Sequence, residues 1–443
     1  MPRVSYQESL ERLATASNRG MRLGLETTRS LLAALDNPER SLRGVLVAGT
    51  NGKGSVCAMV AEIAEQAGYR VALLTKPHLT SYRERIRLDR EPVSEELFEE
   101  LVDAVLAAEQ RMNRASGLPT HHELLTAMGF LAAREHNAEL TVCEVGLGGR
   151  LDATNVWDGG VAVVTSIGLD HQAQLGNTVA AIAGEKAAII KPGDLAVSGA
   201  SGDAIPVVRR AAELAGARLW QMGEEFRCSA SVLEPSQLPS AFVATPRREL
   251  KELRLGLGGA VQMANAAVSV AVSDCLSDTG FPIPDSAIRS GLAKVRWPGR
   301  MESLGGHPEV IVDSAHNPHA IAAILPDLRT AVSSRRTVLV FGSMADHDHR
   351  GMLDLLSQLR FSAAIFTRSQ ATRAVEAEAL AAEWPGTSRV LTPVGLALEK
   401  ARLAAGEGGL VLAVGSIYLV GEVMSSLGHG LPRDPEVSIQ PLW

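Results

Sequence analysis

Residues 44–75 read GVLVAGTNGKGSVCAMVAEIAEQAGYRVALLT, and this stretch decides the fold. GVLVAG (44–49) is a short apolar run that ends in glycine. After a loop, Val56, Met59, Val60, Ile63 and Ala67 recur at helical spacing between Ser55 and about Gly68. VALLT (71–75) is a second apolar run. Strand, helix and strand in that order predict a βαβ unit with a parallel strand pair. The joint between first strand and helix is GTNGKGS, Gly49 to Ser55. Such a loop lets backbone N–H groups and a helix N-terminus surround phosphates, while a lysine neutralises their charge. It does not meet G-x-x-x-x-G-K-[ST], because position 47 is Val and Gly54 separates Lys53 from Ser55. The loop predicts nucleotide binding; a glycine-rich turn carrying a solvated lysine is the alternative.

The same alternation continues outward. ELTVCEVG (139–146) and VAVVTSIG (161–168) are further strands, followed by a helix at about 178–190. Residues 195–258 are less regular and read as the far edge of the first domain. A helix at about 261–276 precedes WPGR (297–300), where Pro298 and Gly299 together predict a hinge. Beyond it, VIVDSAH (310–316), TVLVFGS (337–343), AAIFTR (363–368) and LVLAVGS (410–416) are strands that each run into a polar or glycine-rich loop. The expected fold is α/β. A P-loop-type, mostly parallel sheet domain spans residues 1–297, and a second, smaller Rossmann-like α/β domain spans 298–443.

Composition agrees. The chain has 443 residues, 46% hydrophobic and 21% charged, which suits two or three globular domains and disfavours coiled coil, collagen and long disorder. Aromatics are only 4%, a balance that suits parallel sheets covered by small-residue helices. No apolar run reaches the roughly 18 residues of a membrane span. The first twenty residues are charged and lack the apolar core of a secretory signal, so a cytoplasmic protein is expected. A net charge of −7 without a Lys/Arg block argues against a nucleic-acid partner. Cys57, Cys143, Cys228 and Cys275 show no CxxC spacing and read as reduced thiols rather than a zinc site.

Three more stretches carry chemistry. In EVGLGGRLDATN (144–155), Glu144 closes an apolar run, a costly place for a carboxylate without a cation or donors. Ligands of open α/β sheets gather at the C-terminal ends of strands, so Glu144 reads as a metal ligand or as a structural carboxylate. GLDH (168–171) ends in His171, either a capped loop histidine or part of a magnesium–phosphate site. In EKAAIIK (185–191), Lys186 sits among alanines and isoleucines. It reads as a snorkelling lysine or as a desolvated amine open to modification.

Taken together, LGLETTRSLLAAL (23–35), VLVAGTNGKGS (45–55), PHLTSYRERI (77–86), EVGLGGRLDATN, TSIGLDH (165–171), EKAAIIKPG (185–193), WPGRME (297–302), DSAHNPHA (313–320) and GSIYLVGEV (415–423) resemble, in order, the folylpolyglutamate synthase/dihydrofolate synthase family of the Mur ligase superfamily. The resemblance implies an ATP- and magnesium-dependent ligase in which a substrate carboxylate attacks the γ-phosphate and L-glutamate displaces phosphate from the acyl phosphate. By position it implies Asn51, Gly52, Lys53, Gly54, Ser55, Asn265, Arg300 and Asp313 for ATP, and Ser55, Glu144 and His171 for magnesium. Lys53, Lys186 and His316 become the catalytic set, with Lys186 resembling a lysine that such enzymes carbamylate. His316 and Ser416 would face the incoming amino acid. Thr120, His121, His122, Glu123, Asp152 and Ala153 would line the acceptor pocket. ATP would sit between the domains, and closure about 297–300 would complete the site of a monomer.

The chain departs from the family at three places. Lys76 stands where the family has a magnesium-binding Ser, and an ammonium has only donors. It would either place a fixed charge on the phosphates or point away. His121 and His122 replace aromatic residues that can stack on a pterin ring; imidazoles stack too, but add polar atoms and a charge near pH 6–7. Gly184 and Ala188 flank Lys186 where the family has Arg and Gly, and His347 replaces the Lys of an Asp-Lys-Asp. Besides folate ligation, two alternatives therefore stand: a ligase repurposed for another carboxylic acid, and a non-catalytic nucleotide-binding paralogue.

Overall fold

The computed structural model describes residues 5–17, 19–20, 24–230 and 240–434. The first four residues of the charged N-terminal stretch, and 231–239 of the irregular segment, lie outside the described residues. Strands β1 (Gly44–Ala48), β2 (Val71–Leu74), β3 (Ile86–Leu88), β4 (Glu91–Pro92), β5 (Leu140–Glu144), β6 (Gly160–Val164), β7 (Leu195–Ser198) and β8 (Arg218–Gln221) form one sheet. Its order is β4-β3-β2-β5-β1-β6-β7-β8. The hairpin β2-β3-β4 is antiparallel and every other neighbouring pair is parallel. Every residue of β1 is buried, as a central parallel strand covered on both faces requires. Successive β1 side chains enter opposite cores: Leu46 and Ala48 one, Val45 and Val47 the other.

Register aligns the functional loops. Val47 pairs with Glu144 and Ala48 with Val164, so the loops after β1, β5 and β6 leave the same sheet edge. β1 runs into the helix Lys53–Gln66, which packs against the helices Val261–Asp278 and Asp285–Lys294.

The irregular segment is more ordered than its composition predicts. β7 and β8 extend the large sheet. β9 (Arg227–Ala230), β10 (Ser240–Ala244) and β11 (Glu249–Arg254) form a separate antiparallel sheet of order β11-β10-β9. In β11 only Leu250 and Leu253 are buried, a spacing of three. The register slips between Ala241 and Val243, and Glu252 takes a left-handed φ of 54°. An irregular ladder of this kind abolishes the period-two signature of a strand.

After Trp297–Arg300, β12 (Glu302–Ser303), β13 (Glu309–Asp313), β14 (Thr337–Phe341), β15 (Ala363–Phe366), β16 (Ser388–Val390) and β17 (Leu410–Val414) build a second sheet of order β12-β13-β17-β14-β15-β16. It is parallel apart from β12. Gly299, at a left-handed φ of 73°, donates its N–H to Glu302 (2.7 Å) and accepts from the N–H of Ser314 (2.9 Å). All four cysteines are free, and among the described residues no helix is long and apolar enough to cross a membrane.

Candidate active site

The loop after β1 is shaped by close neighbours. Gly52 has φ +85° and precedes the helix Lys53–Gln66 without a side-chain cap, which leaves first-turn N–H groups for an anion. A Cβ on Gly52 would lie 2.6 Å from Asn265 Oδ1, and one on Gly54 2.8 Å from Trp297 Nε1. Asn265 is held by its own bond to Gln262 Oε1 (2.9 Å). The Lys53 ammonium donates to the carbonyls of Gly49 and Thr50, each at 3.0 Å. Lys186, on the helix Val179–Ala187, donates to the same Gly49 carbonyl at 2.8 Å. Two amines thus share one acceptor. Burial, and then the charge of Lys53, bring the Lys186 amine down to about 7.

Glu144 ends β5 and is buried, with Oε2 accepting from the Lys76 backbone N–H at 3.0 Å. Burial raises its pKa against the opposing charge of Lys53. His171 sits at a left-handed φ of 48°, and burial lowers its pKa, leaving a neutral imidazole. The His171 backbone N–H donates to Asp170 Oδ1 at 3.0 Å. Among the described residues no three His, Cys, Asp or Glu side chains form a metal cage. A carboxylate, a neutral imidazole and the buried Ser55 hydroxyl suit a hard divalent ion that completes its shell with phosphate and water oxygens. Gly54, Lys76, Glu144, Trp297 and Arg300 line one open cleft.

From the second sheet, Asp313 accepts from the N–H groups of Met301 (2.8 Å) and Ala315 (2.7 Å). Burial raises its pKa and Arg300 opposes the shift. His316 Nδ1 faces the Ser314 carbonyl at 2.9 Å, and its ring lies 4.9 Å from that of His347. Ser416 is buried and caps the helix Ile417–Ser426, accepting from the Tyr418 N–H at 3.2 Å.

Sequence reasoning singled out Asn51 for ATP but missed Asn317, Asp170 and His319, with which it joins the two sheets. Asn317 Oδ1 caps the helix Pro318–Ser333, while its Nδ2 donates to Asp170 Oδ2 (2.9 Å) and Asn51 Oδ1 (3.2 Å). Asn51 Nδ2 lies 2.8 Å from His319 Nδ1. The loops after β1, β6 and β13 are thereby tied together. An Asn-Pro at a strand-to-helix joint, an N-cap followed by Pro, was the available signal for Asn317.

Around the helix His121–Glu135 the side chains are held by local bonds. Thr120 and Glu123 close a capping box on the helix His121–Glu135: Thr120 Oγ1 accepts from the Glu123 N–H (3.3 Å) and Glu123 Oε2 from the Thr120 N–H (2.7 Å). Thr120→Ala is accordingly expected to lower the unfolding free energy by about 1 kcal/mol, read from urea denaturation. Asp152 takes five donors: the N–H groups of Gly146, Leu147 and Thr154, the Thr154 hydroxyl and His122 Nε2 at 3.0 Å. A carboxylate offers about four lone-pair sites, so these donors fully engage the Asp152 carboxylate and fix its position. His121 is buried edge-on to Tyr82 at 5.5 Å, and burial lowers it to about 3. Ala153 opens the turn Ala153–Val156 and is buried with Thr154. The Lys76 ammonium donates to Thr126 Oγ1 (3.3 Å) on the helix His121–Glu135.

This architecture, with its cleft between two parallel sheets, is that of a Mur ligase: residues 47–273 match the Mur ligase middle domain and 299–417 the glutamate ligase domain. The chain is 34% identical to the dihydrofolate synthase/folylpolyglutamate synthase of Bacillus subtilis over 80% of its length and 84% of that protein. With the Escherichia coli dihydrofolate synthase/folylpolyglutamate synthase it shares 32% identity over 96% and 95% of the two chains. The structure of E. coli FolC in complex with DHPP and ADP matches at a TM-score of 0.87 and 30% identity, covering 96% of this chain and 98% of that one. Folylpolyglutamate synthase of Mycobacterium tuberculosis complexed with ADP matches at 0.86 and 29%, covering 97% and 100%. The chain belongs to the folylpolyglutamate synthase/dihydrofolate synthase family.

Proposed function

We propose that this chain joins L-glutamate to the carboxylate of a folate or dihydropteroate, consuming ATP and releasing ADP and phosphate. The observation that carries the reading is the convergence, on one sheet edge, of Lys53, Glu144, His171 and Lys186 opposite Asp313 and His316 of the second sheet.

In this reading residues 1–297 and 298–443 are the domains that close on ATP. The loop N–H groups and Lys53 hold the β- and γ-phosphates, while Asn51, Asn265, Arg300 and Asp313 hold the rest of the nucleotide. Ser55, Glu144 and His171 hold magnesium, which when bound neutralises the charge gathering on the γ-phosphate. Lys186 is carbamylated: its neutral amine adds to carbon dioxide and releases a proton. The Lys53–Lys186 repulsion at Gly49 then becomes an attraction, and an anion faces the metal site. His121, His122 and Ala153 face the acceptor; His316 and the Ser416 loop face glutamate. Closure excludes water from the acyl phosphate. Free thiols and an ATP requirement suit the cytoplasm.

The test is ADP release with ATP, magnesium and L-glutamate across dihydropteroate, folates and unrelated carboxylic acids, with product masses. Release with a pterin acid and a gain of one glutamyl unit is expected. Release only with a non-pterin acid overturns the folate assignment and directs attention to His121 and His122. Silence with every acid overturns the ligase reading.

A further inference from the structure

One charge on the acceptor side has no task in this chemistry. Lys76 is fixed at its backbone by Glu144, and its ammonium reaches Thr126 Oγ1 at 3.3 Å. An ammonium has three donors, so a single hydroxyl leaves two N–H groups to direct elsewhere. Among the described residues no carboxylate lies within 4.0 Å of that nitrogen. The two acids that act on it are committed: Asp152 to five donors, Glu144 to the Lys76 N–H and the metal position.

Arg85 repeats the pattern. It is buried, its Nε donates to His78 Nδ1 (2.9 Å), its guanidinium lies over the Tyr82 ring at 4.8 Å, and it too has no carboxylate partner among the described residues. Lys76 is partly exposed, and it and Arg85 feel each other's field, so a further anion arriving beside them is attracted by both. Lys76 also lines the cleft it shares with Gly54, Glu144 and Arg300. It therefore stands where the phosphate loop meets the acceptor-side helix, and the reacting carboxylate has to occupy that junction.

Building on the ligase reading, we propose that Lys76 receives the reacting carboxylate of the acceptor and so determines which acids are accepted. One carboxylate oxygen rests on the ammonium while the other attacks the γ-phosphorus. The new O–P bond forms as the bond to the β,γ-bridging oxygen breaks, and that electron pair leaves on ADP. Charge neutralisation by Lys76 lets two anions approach. Glutamate's neutral amine then adds to the acyl carbon, and the carbonyl electron pair moves onto the oxygen held by Lys76. Collapse of this intermediate expels phosphate, which takes the amine proton.

The experiment compares the wild type with Lys76→Met and Lys76→Ser, the latter restoring the residue found in the resembling family. Titration calorimetry with ADP and magnesium present measures dihydropteroate and its carboxamide, and thermal unfolding checks each fold. Both variants are expected to bind the acid at least tenfold more weakly and the carboxamide within twofold of wild type, with kcat reduced. Equal weakening of acid and amide, or no weakening, overturns the proposal. A shift in magnesium dependence without a change for the acid also overturns it. If only a non-pterin acid supports turnover, that acid and its amide take dihydropteroate's place; the folate assignment then fails while Lys76 is still tested.

Discussion

Lys186→Met is expected to cut kcat for ligation by about 10²–10³ while stabilising the fold at neutral and lower pH. The side chain is buried, shares the Gly49 carbonyl with Lys53, and titrates at about 7 instead of 10.5. At pH 7 roughly half of it is a neutral amine, against about 3 in 10⁴ for an ordinary lysine. Only the neutral amine adds carbon dioxide, so the shift makes carbamylation accessible at the pH where ATP chemistry runs. Removing one preorganised charge from a phosphoryl-transfer site costs about 10²–10³ in kcat, and that is the loss expected. Stability moves the other way. The folded pKa lies below the unfolded one, so the unfolded chain binds more protons between pH 7 and 10.5, and wild-type stability rises with pH across that window. Below about pH 7 the full cost of the buried ammonium remains, on the order of 5 kcal/mol at ~1.4 kcal/mol per unit. In buffer free of carbon dioxide the methionine variant should therefore melt higher than wild type at pH 6, with the difference shrinking toward pH 10. Acetate added to Lys186→Ala should restore part of the activity by supplying a carboxylate where the carbamate stood. Wild-type turnover in either variant would sink the role.

Local chemistry explains which parts were legible in the sequence. β1, β5, β6, β13, β14, β15 and β17 are buried parallel strands that end in polar or glycine-rich loops, so the apolar run and its punctuation mark each one. Lys53, Glu144, His171 and Lys186 were visible because each breaks an apolar or glycine-rich context where a charge is costly. β11 was not visible, because its two buried leucines sit three apart across a left-handed Glu252. Asn51–Asn317–Asp170 was hidden for a different reason. Its members are separated by up to 266 residues and are ordinary polar side chains until the two sheets meet. Thr120, Glu123 and Asp152 were noticed as motif residues, but motif position does not distinguish a side chain that touches substrate from one that satisfies backbone donors. The capping box and the five donors on Asp152 show the backbone task that motif position leaves hidden.

Glu144→Gln should produce a crossover in stability that depends on metal and nucleotide. The wild-type carboxylate is buried and its pKa is raised, chiefly by burial, with Lys53, the Lys76 N–H and Arg300 opposing. Because the folded pKa lies above the unfolded value of 4.5, the folded chain binds protons more readily, and the penalty is present in full above the folded pKa and fades as pH falls from there to 4.5. Glutamine retains an oxygen for the Lys76 N–H and removes the charge, so at pH 7.5 in chelator the variant should melt higher than wild type. Magnesium with ADP reverses the order. A ligand that binds the folded state stabilises it by RT ln(1 + [L]/Kd), and the charge that was a burden becomes a ligand for the ion. The same loss of charge should lower kcat/KM for ATP by about 10²–10³, the scale for removing a single electrostatic stabiliser, and raise the metal concentration needed for half-maximal rate. Manganese, which is bound in a solved Yersinia pestis relative, provides a second ion for the titration. If Glu144 were only a structural carboxylate, the two melting curves would keep their order whether or not metal and nucleotide were present. A reversal requires the buried charge to meet the ion itself.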